Sequence, residues 1–195
     1  MPTLLPVTKT TKAASSVRFG AKSLTWDVLI EPNVVQHLMN HRQLGAASPE
    51  VGGQLFGTFE KDRVRVTLAT GPRDADRKSR FSFFPNRNKE NAEIRKSFDT
   101  GLHYVGDWHT HPERKPSPSF TDIESMADCF RKSKHQLSHF VMVIVGEDES
   151  PERWWASAHD AKTVVRMKPQ IADPSKYSQI APKDQNPSPI PSEIA

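Results

Sequence analysis

The sequence predicts a single α/β domain, in which a mixed central β-sheet is flanked by helices. Segments of helical periodicity are interspersed with segments of strand periodicity along the chain. One segment, Phe140–Val145, is continuously apolar, which is typical of a central strand buried on both faces. Three predicted strands also follow one another closely near the end of the patterned region. Helices layered on one sheet are the simplest way to bury all of these apolar surfaces.

The 195 residues are enough for one domain of ordinary size. Residues 1–22 are rich in Thr, Ser and Lys, and we expect them to form a loose N-terminal arm. Residues 23–168 carry the helix and strand patterns, so the domain should lie there. Residues 169–195 are polar and punctuated by prolines, which predicts a disordered or extended tail.

In the first half of the domain, a strand is predicted at 23–30, where apolar residues alternate with polar ones. Pro32 begins a helix, since proline suits the first helical turn, and Gly45 should end it. Residues 51–59 and 63–68 form a hairpin. The second strand of this hairpin alternates as a half-exposed strand should.

The second half begins with a polar loop at 71–79, after which Phe81, Phe83 and Phe84 should return the chain to the sheet. A helix follows at 88–99, with Ile94 and Phe98 on its inward face. The remaining expected elements are a strand at 103–109, a helix at 121–134, and paired strands at 153–159 and 162–167.

Composition excludes several classes of protein. Twenty-seven basic residues nearly balance 23 acidic ones. The densest basic stretch, Arg73 to Lys89, is either a solvated surface or a docking face for an acidic partner. The chain contains no known nucleic-acid-binding module, so no nucleic-acid partner is expected. One cysteine, Cys129, rules out an intrachain disulfide and favours a reducing cytoplasm. No run approaches the ~18 apolar residues of a membrane span.

The strongest functional signal is a set of metal ligands. His109 and His111 flank Thr110 at the end of a predicted strand, and alternate strand residues point the same way. A proline-stiffened loop then returns the chain to Asp122 in the first turn of a helix. Two imidazoles and one carboxylate, with a fourth position left for water, are the ligands of a catalytic zinc ion. We expect one zinc ion per chain.

A hydrolytic zinc site also needs a carboxylate that moves the proton. Glu50 is the candidate, provided that its strand lies beside the histidine strand. Ser119 has two interpretations: its hydroxyl caps the helix, or it donates to the developing oxyanion, and one residue could do both. Asp107 is either a partner of an imidazole or a surface residue, and the pattern favours the surface.

These residues resemble the signature of the JAMM (JAB/MPN-plus) metalloproteases, and the resemblance covers roughly residues 24–167. The resemblance implies a JAB/MPN fold related to the cytidine-deaminase architecture. It implies zinc ligation by His109, His111 and Asp122, with Glu50 as the general acid and base and Ser119 as the stabiliser of the oxyanion. The signature of the deaminases themselves, H-x-E with P-C-x-x-C, is absent.

The sequence from Gly106 to Pro112 looks most like the corresponding sequence in a bacterial branch of this family, which is found in anti-phage CBASS operons. The resemblance implies an isopeptidase that cleaves the amide after the C-terminal tail of a ubiquitin-like modifier or a cGAS-like nucleotidyltransferase. Its partner would therefore be a protein that carries such a tail. Two alternatives stay open: processing of a sulfur-carrier ubiquitin-like protein, and recognition of a tail without turnover. For the tail, we expect a groove near residues 51–59 and 71–80, entered by β-strand addition.

Overall fold

The computed structural model describes residues 14–170, and ten strands and three α-helices lie in that range. The strands are β1 (Val17–Gly20), β2 (Asp27–Ile30), β3 (Gly52–Glu60), β4 (Arg63–Ala69), β5 (Arg77–Ser79), β6 (Ser82–Phe84), β7 (His103–Thr110), β8 (Phe140–Val145), β9 (Trp155–His159) and β10 (Val164–Pro169). The helices are α1 (Pro32–Asn40), α2 (Arg87–Asp99) and α3 (Phe120–Lys132).

Eight of the strands form one mixed sheet in the order β1-β10-β9-β8-β7-β3-β4-β2. The pairs β2–β4 and β7–β8 are parallel, and the others are antiparallel. A mixed sheet combined with helices in one domain was expected. The sheet differs from an open one flanked by helices, because β1 pairs with both β2 and β10 and closes a barrel. Because the barrel is closed, β1 and β2, which would be the edge strands of an open sheet, pair with each other.

Strand β8 separates two apolar clusters, which confirms that it is buried on both faces. Its Val141, Val143 and Val145 join the larger cluster, which also contains the inward residues of α1. Its Phe140, Met142 and Ile144 join a smaller cluster together with Met126 of α3. Within residues 14–170, no helix is long and apolar enough to cross a membrane.

Some elements differ from the sequence prediction. Strand β1 lies inside the segment 1–22 that was expected to be a loose arm, and four residue pairs join it to β2. The rest of that arm before residue 14, and the tail beyond residue 170, lie outside the described residues. Helix α1 ends at Asn40, earlier than Gly45. The expected return of Phe81 to Phe84 to the main sheet is wrong, because β5 and β6 form a separate two-stranded sheet.

The inward face of α2 is also different from the expected one. Phe98 is exposed, with 61% of its surface accessible, and Ile94 is half-buried. The buried residues of this helix are Glu90 and Ser97. Glu90 tolerates burial because the guanidinium of Arg87 lies 2.8 Å from its carboxylate. An apolar periodicity cannot reveal a helix face that is built on paired charges.

Candidate metal centre

The register between β3 and β7 brings Glu50 next to the two histidines. Gly52 lies opposite His109, and the amide of Thr110 donates to the carbonyl of Val51 at 2.8 Å. Glu50 therefore sits just before β3, beside the end of the histidine strand. The proposed role of Glu50 depends on this adjacency, which the sequence alone could not show. No side chain is tolerated at Gly52, where a Cβ would lie 2.5 Å from the carbonyl oxygen of Trp108.

A capping box at the start of α3 holds Asp122. The hydroxyl of Ser119 accepts a hydrogen bond from the Asp122 amide at 3.2 Å. In return, Oδ2 of Asp122 accepts bonds from the amide and the hydroxyl of Ser119, each at 2.7 Å. The cap interpretation of Ser119 is thus confirmed. The same bonds fix the orientation of the Asp122 carboxylate.

The four side chains converge on one point. Glu50, His109, His111 and Asp122 each offer a ligand atom, and these atoms lie within 4.8 Å of one another. Nε2 of His109 and Nε2 of His111 are each 3.5 Å from an oxygen of Asp122. Ligands of a tetrahedral zinc ion at 2.0–2.2 Å are themselves separated by about 3.4 Å. The spacing therefore fits a metal ion better than a hydrogen bond of about 2.9 Å.

The environment of His109 supports the same assignment. Its Nε2 is buried and has no hydrogen-bond partner among the described residues. A buried polar atom without a partner carries a free-energy cost, which ligation of a metal ion would relieve. The residues present are therefore suited to hold a zinc ion through two imidazoles and a carboxylate.

The protonation properties of the two carboxylates differ. Burial raises the pKa of Glu50, and the nearby charge of Asp122 raises it further, although His109 and His111 act in the opposite direction. Burial would also raise the pKa of Asp122, but its contacts with His109 and His111 outweigh this and bring the pKa well below its usual range. One carboxyl is thus suited to proton exchange and the other stays ionised.

The four residues line a cavity of about 780 Å³. The β5–β6 hairpin contributes its phenylalanines to the lining, and the start of α2 contributes Arg87 and Glu90. Helix α3 and Met142 of β8 also line the cavity. The sequence did not predict that these elements meet around the four residues, because they lie far apart in the chain.

Asp107 is a correction to the sequence analysis, which placed it on the surface. It lines the cavity, and its Oδ1 is buried without a hydrogen-bond partner among residues 14–170. Burial, followed by the charge of Glu90, raises the pKa of Asp107 to about 7. A signal for this placement existed, because Asp107 precedes His109 by two residues and shares its face of β7.

The expected strand-addition groove is also corrected in part. Strand β3 pairs with β7 along residues 52–57 and with β4 along residues 55–60, so it has no free edge at residues 55–57. The segment 71–80 contains β5, whose Ser79 carbonyl accepts the Glu50 amide at 2.7 Å. The β5–β6 hairpin is therefore hydrogen-bonded to the chain directly beside the candidate metal centre.

Comparisons with known proteins found relatives of this chain. Among curated proteins, the chain is 29% identical over 143 residues to a CD-NTase/cGAS isopeptidase of Enterobacter hormaechei, across 72% of this chain and 78% of that protein. It is 30% identical over 144 residues to a CD-NTase/cGAS isopeptidase of Vibrio cholerae, across 72% and 87% respectively. A protein of Sinorhizobium fredii named a probable metalloprotease is 32% identical over 114 residues, across 54% of this chain and 66% of that protein.

A solved structure from Desulfitobacterium hafniense shares the fold, with a TM-score of 0.51 at 16% sequence identity, covering 70% of this chain and 87% of that one. The family model for prokaryotic homologs of the JAB domain matches residues 32–157, which include Glu50, both histidines and Asp122. The resemblance inferred from the metal-ligand motif is thereby confirmed. The chain belongs to the family of prokaryotic JAB-domain proteins.

Proposed function

We propose that this chain is a zinc-dependent isopeptidase. It would cleave the amide bond that joins the C-terminus of a cGAS-like nucleotidyltransferase, or of a ubiquitin-like modifier, to a lysine of a target protein in anti-phage defence. The observation that carries the proposal is the convergence of Glu50, His109, His111 and Asp122 in the lining of an open cavity. The single cysteine favours a reducing compartment, so we expect the reaction to take place in the cytoplasm.

His109, His111 and Asp122 would hold the zinc ion. When bound, the ion would lower the pKa of a water molecule at the site and polarise the scissile carbonyl. Glu50 takes the proton from the attacking water and passes it to the leaving lysine amine. Its burial and raised pKa suit a group that must gain and lose a proton near neutral pH.

Ser119 would act on the carbonyl oxygen. Its hydroxyl now donates to Asp122, so it must turn away from that carboxylate in order to donate to a substrate. Its backbone amide would continue to bond Asp122, which keeps the carboxylate in place during the rotation. A hydroxyl directed at the developing negative charge would contribute to catalysis as an oxyanion donor does.

The names of the relatives support the choice of substrate. The proteins of Enterobacter hormaechei and Vibrio cholerae are named CD-NTase/cGAS isopeptidases, and both are similar to this chain over 72% of its length. An isopeptidase of that specificity would take a protein C-terminal tail into the cavity beside the β5–β6 hairpin.

The experiment compares two substrates. One is a cGAS-like nucleotidyltransferase joined through its C-terminal carboxyl to a lysine of a carrier protein, and the other is a sulfur-carrier ubiquitin-like protein with an extended tail. Zinc-loaded wild-type protein should release the carrier from the first. Glu50→Gln should be slower by about 10²–10⁴-fold, with unchanged zinc content and thermal midpoint. The matched control is Glu124→Gln, which changes an exposed glutamate on α3.

Each outcome decides between functions. Cleavage of the sulfur-carrier fusion alone would replace the proposal with tail processing. Binding of a tail without turnover by the zinc-loaded protein would replace it with simple recognition. Full activity of Glu50→Gln, or of protein stripped of metal by a chelator, would contradict the mechanism.

A further inference from the structure

We propose that the cavity contains a subsite for a basic side chain of the substrate, next to the cleaved amide bond, with Asp107 as its acceptor. The inference rests on the proposed function and names a feature that its substrate should carry. The subsite, called the acidic end of the cavity below, is formed by Asp107, Glu90 and Arg87 together with Met126 and Met142.

The position of Asp107 relative to the metal centre suits a neighbouring side chain. It lies two residues before His109 on β7, on the same face of the strand. Strand residues two apart are separated by about 6.6 Å. A lysine or arginine next to the scissile amide has a side chain of comparable length. Its charged group would therefore reach Asp107 while the amide lies beside the histidines.

The Asp107 carboxyl has an unfilled bonding position. Its Oδ1 is buried and has no hydrogen-bond partner among residues 14–170. A buried acceptor without a donor costs free energy. A substrate ammonium or guanidinium group would supply the missing donor, and a charged donor makes a stronger bond than a neutral one.

The charged groups near Asp107 leave its carboxyl without a donor. The acid Glu90 and the bases Arg87 and Arg73 act on Asp107. Both guanidinium groups are engaged with other acids, because Arg87 lies 2.8 Å from Glu90 and Arg73 forms ion pairs with Glu93 and Glu90. Neither is hydrogen-bonded to Asp107 within the described residues, so a position remains for a charged donor from the substrate.

The walls of the acidic end suit the rest of such a side chain. Met126 of α3 and Met142 of β8 line the same cavity. Lysine and arginine bury their alkyl stems on apolar surfaces while the charged group reaches a polar partner. Methionine side chains adapt to such stems because they are flexible. An acidic side chain would instead meet the Asp107 carboxyl with no donor to offer and be rejected.

The test uses two amino-acid hydroxamates as probes. Lysine hydroxamate and norleucine hydroxamate share the zinc-binding group and the alkyl stem, and they differ in the terminal ammonium. We expect zinc-loaded wild-type protein to bind lysine hydroxamate at least about tenfold more tightly, as a charge-assisted hydrogen bond should provide. Asp107→Asn should abolish this preference. Asp99→Asn, which changes an exposed aspartate at the end of α2, should keep it.

The two probes also separate failure of the subsite from failure of the proposed function. Equal affinity of norleucine hydroxamate for wild type and Asp107→Asn shows that the variant folds and retains its metal centre. If lysine hydroxamate then has no advantage in wild type, or keeps its advantage in Asp107→Asn, the subsite is refuted and the isopeptidase proposal stands. If neither hydroxamate binds zinc-loaded wild type, both proposals fall.

Discussion

Replacement of Ser119 by alanine separates its structural role from its proposed catalytic one. The Ser119 hydroxyl forms two hydrogen bonds with Asp122, one accepted from the amide at 3.2 Å and one donated to the carboxylate at 2.7 Å. Loss of a serine N-cap costs about 1 kcal/mol of stability. For a domain of this size, that corresponds to a decrease of about 3 °C in the thermal midpoint.

Loss of the proposed catalytic role of Ser119 would have a larger energetic effect than loss of the cap. Removal of one oxyanion donor typically lowers kcat by about 10²–10³-fold, equivalent to about 3 kcal/mol of transition-state stabilisation. A stability loss of about 1 kcal/mol leaves a domain with a stability of 5–15 kcal/mol folded at 25 °C. A large decrease in kcat therefore cannot come from the lost cap. The two effects can be read independently.

The assay measures kcat, zinc content and thermal midpoint for Ser119→Ala and Ser119→Gly. Glycine replaces serine at an N-cap with a loss of only a few tenths of a kcal/mol. We expect both variants to be about equally slow, while the alanine variant has the lower midpoint. Wild-type zinc content shows that Asp122 remains in place. A kcat for Ser119→Ala within fivefold of wild type, at full zinc content, would refute the catalytic role and leave the cap alone.

Three further predictions concern metal binding, packing and pH. Asp122→Ala should lose stoichiometric zinc in a chelator competition, whereas Asp128→Ala, which alters a half-exposed acid on the same helix, should retain it. Gly106→Ala should lower the free energy of unfolding, measured in urea, by roughly 3 kcal/mol or more. The reason is that Gly106 has a φ of 149° and that a Cβ there would lie 1.8 Å from the Val141 carbonyl oxygen. A loss below about 1 kcal/mol would contradict this. Burial lowers the pKa of His159 to about 4. Since the unfolded chain binds this proton near pH 6.5, stability should be full above that pH and fall by about 3 kcal/mol towards pH 4. His159→Gln should remove this part of the pH dependence, and an unchanged pH profile would contradict the assignment.

Local pattern was sufficient for much of the fold. The alternation in residues 63–68 and the apolar run Phe140–Val145 predicted β4 and β8 closely, because each depends on the environment of its own side chains. The return of Phe81 to Phe84 to the main sheet failed for the opposite reason. Their apolar character is genuine, but they form a wall of the cavity, with Phe81 73% exposed and Phe84 53% exposed. The apolar character of a residue does not determine which surface it packs against or lines.

The sequence by itself predicted the proposed metal-ligand set. His109 and His111 share a face of any strand, and Ser119 with Asp122 makes a capping box at any helix start, because both relations depend only on local geometry. The tertiary structure alone decided that Glu50 joins them and that Asp107 faces the same cavity with an unpaired oxygen. Those placements depend on the register of β3 against β7 and on the walls supplied by α2 and α3. Contacts between elements distant in the chain are set by packing of the whole domain, and no local period encodes them.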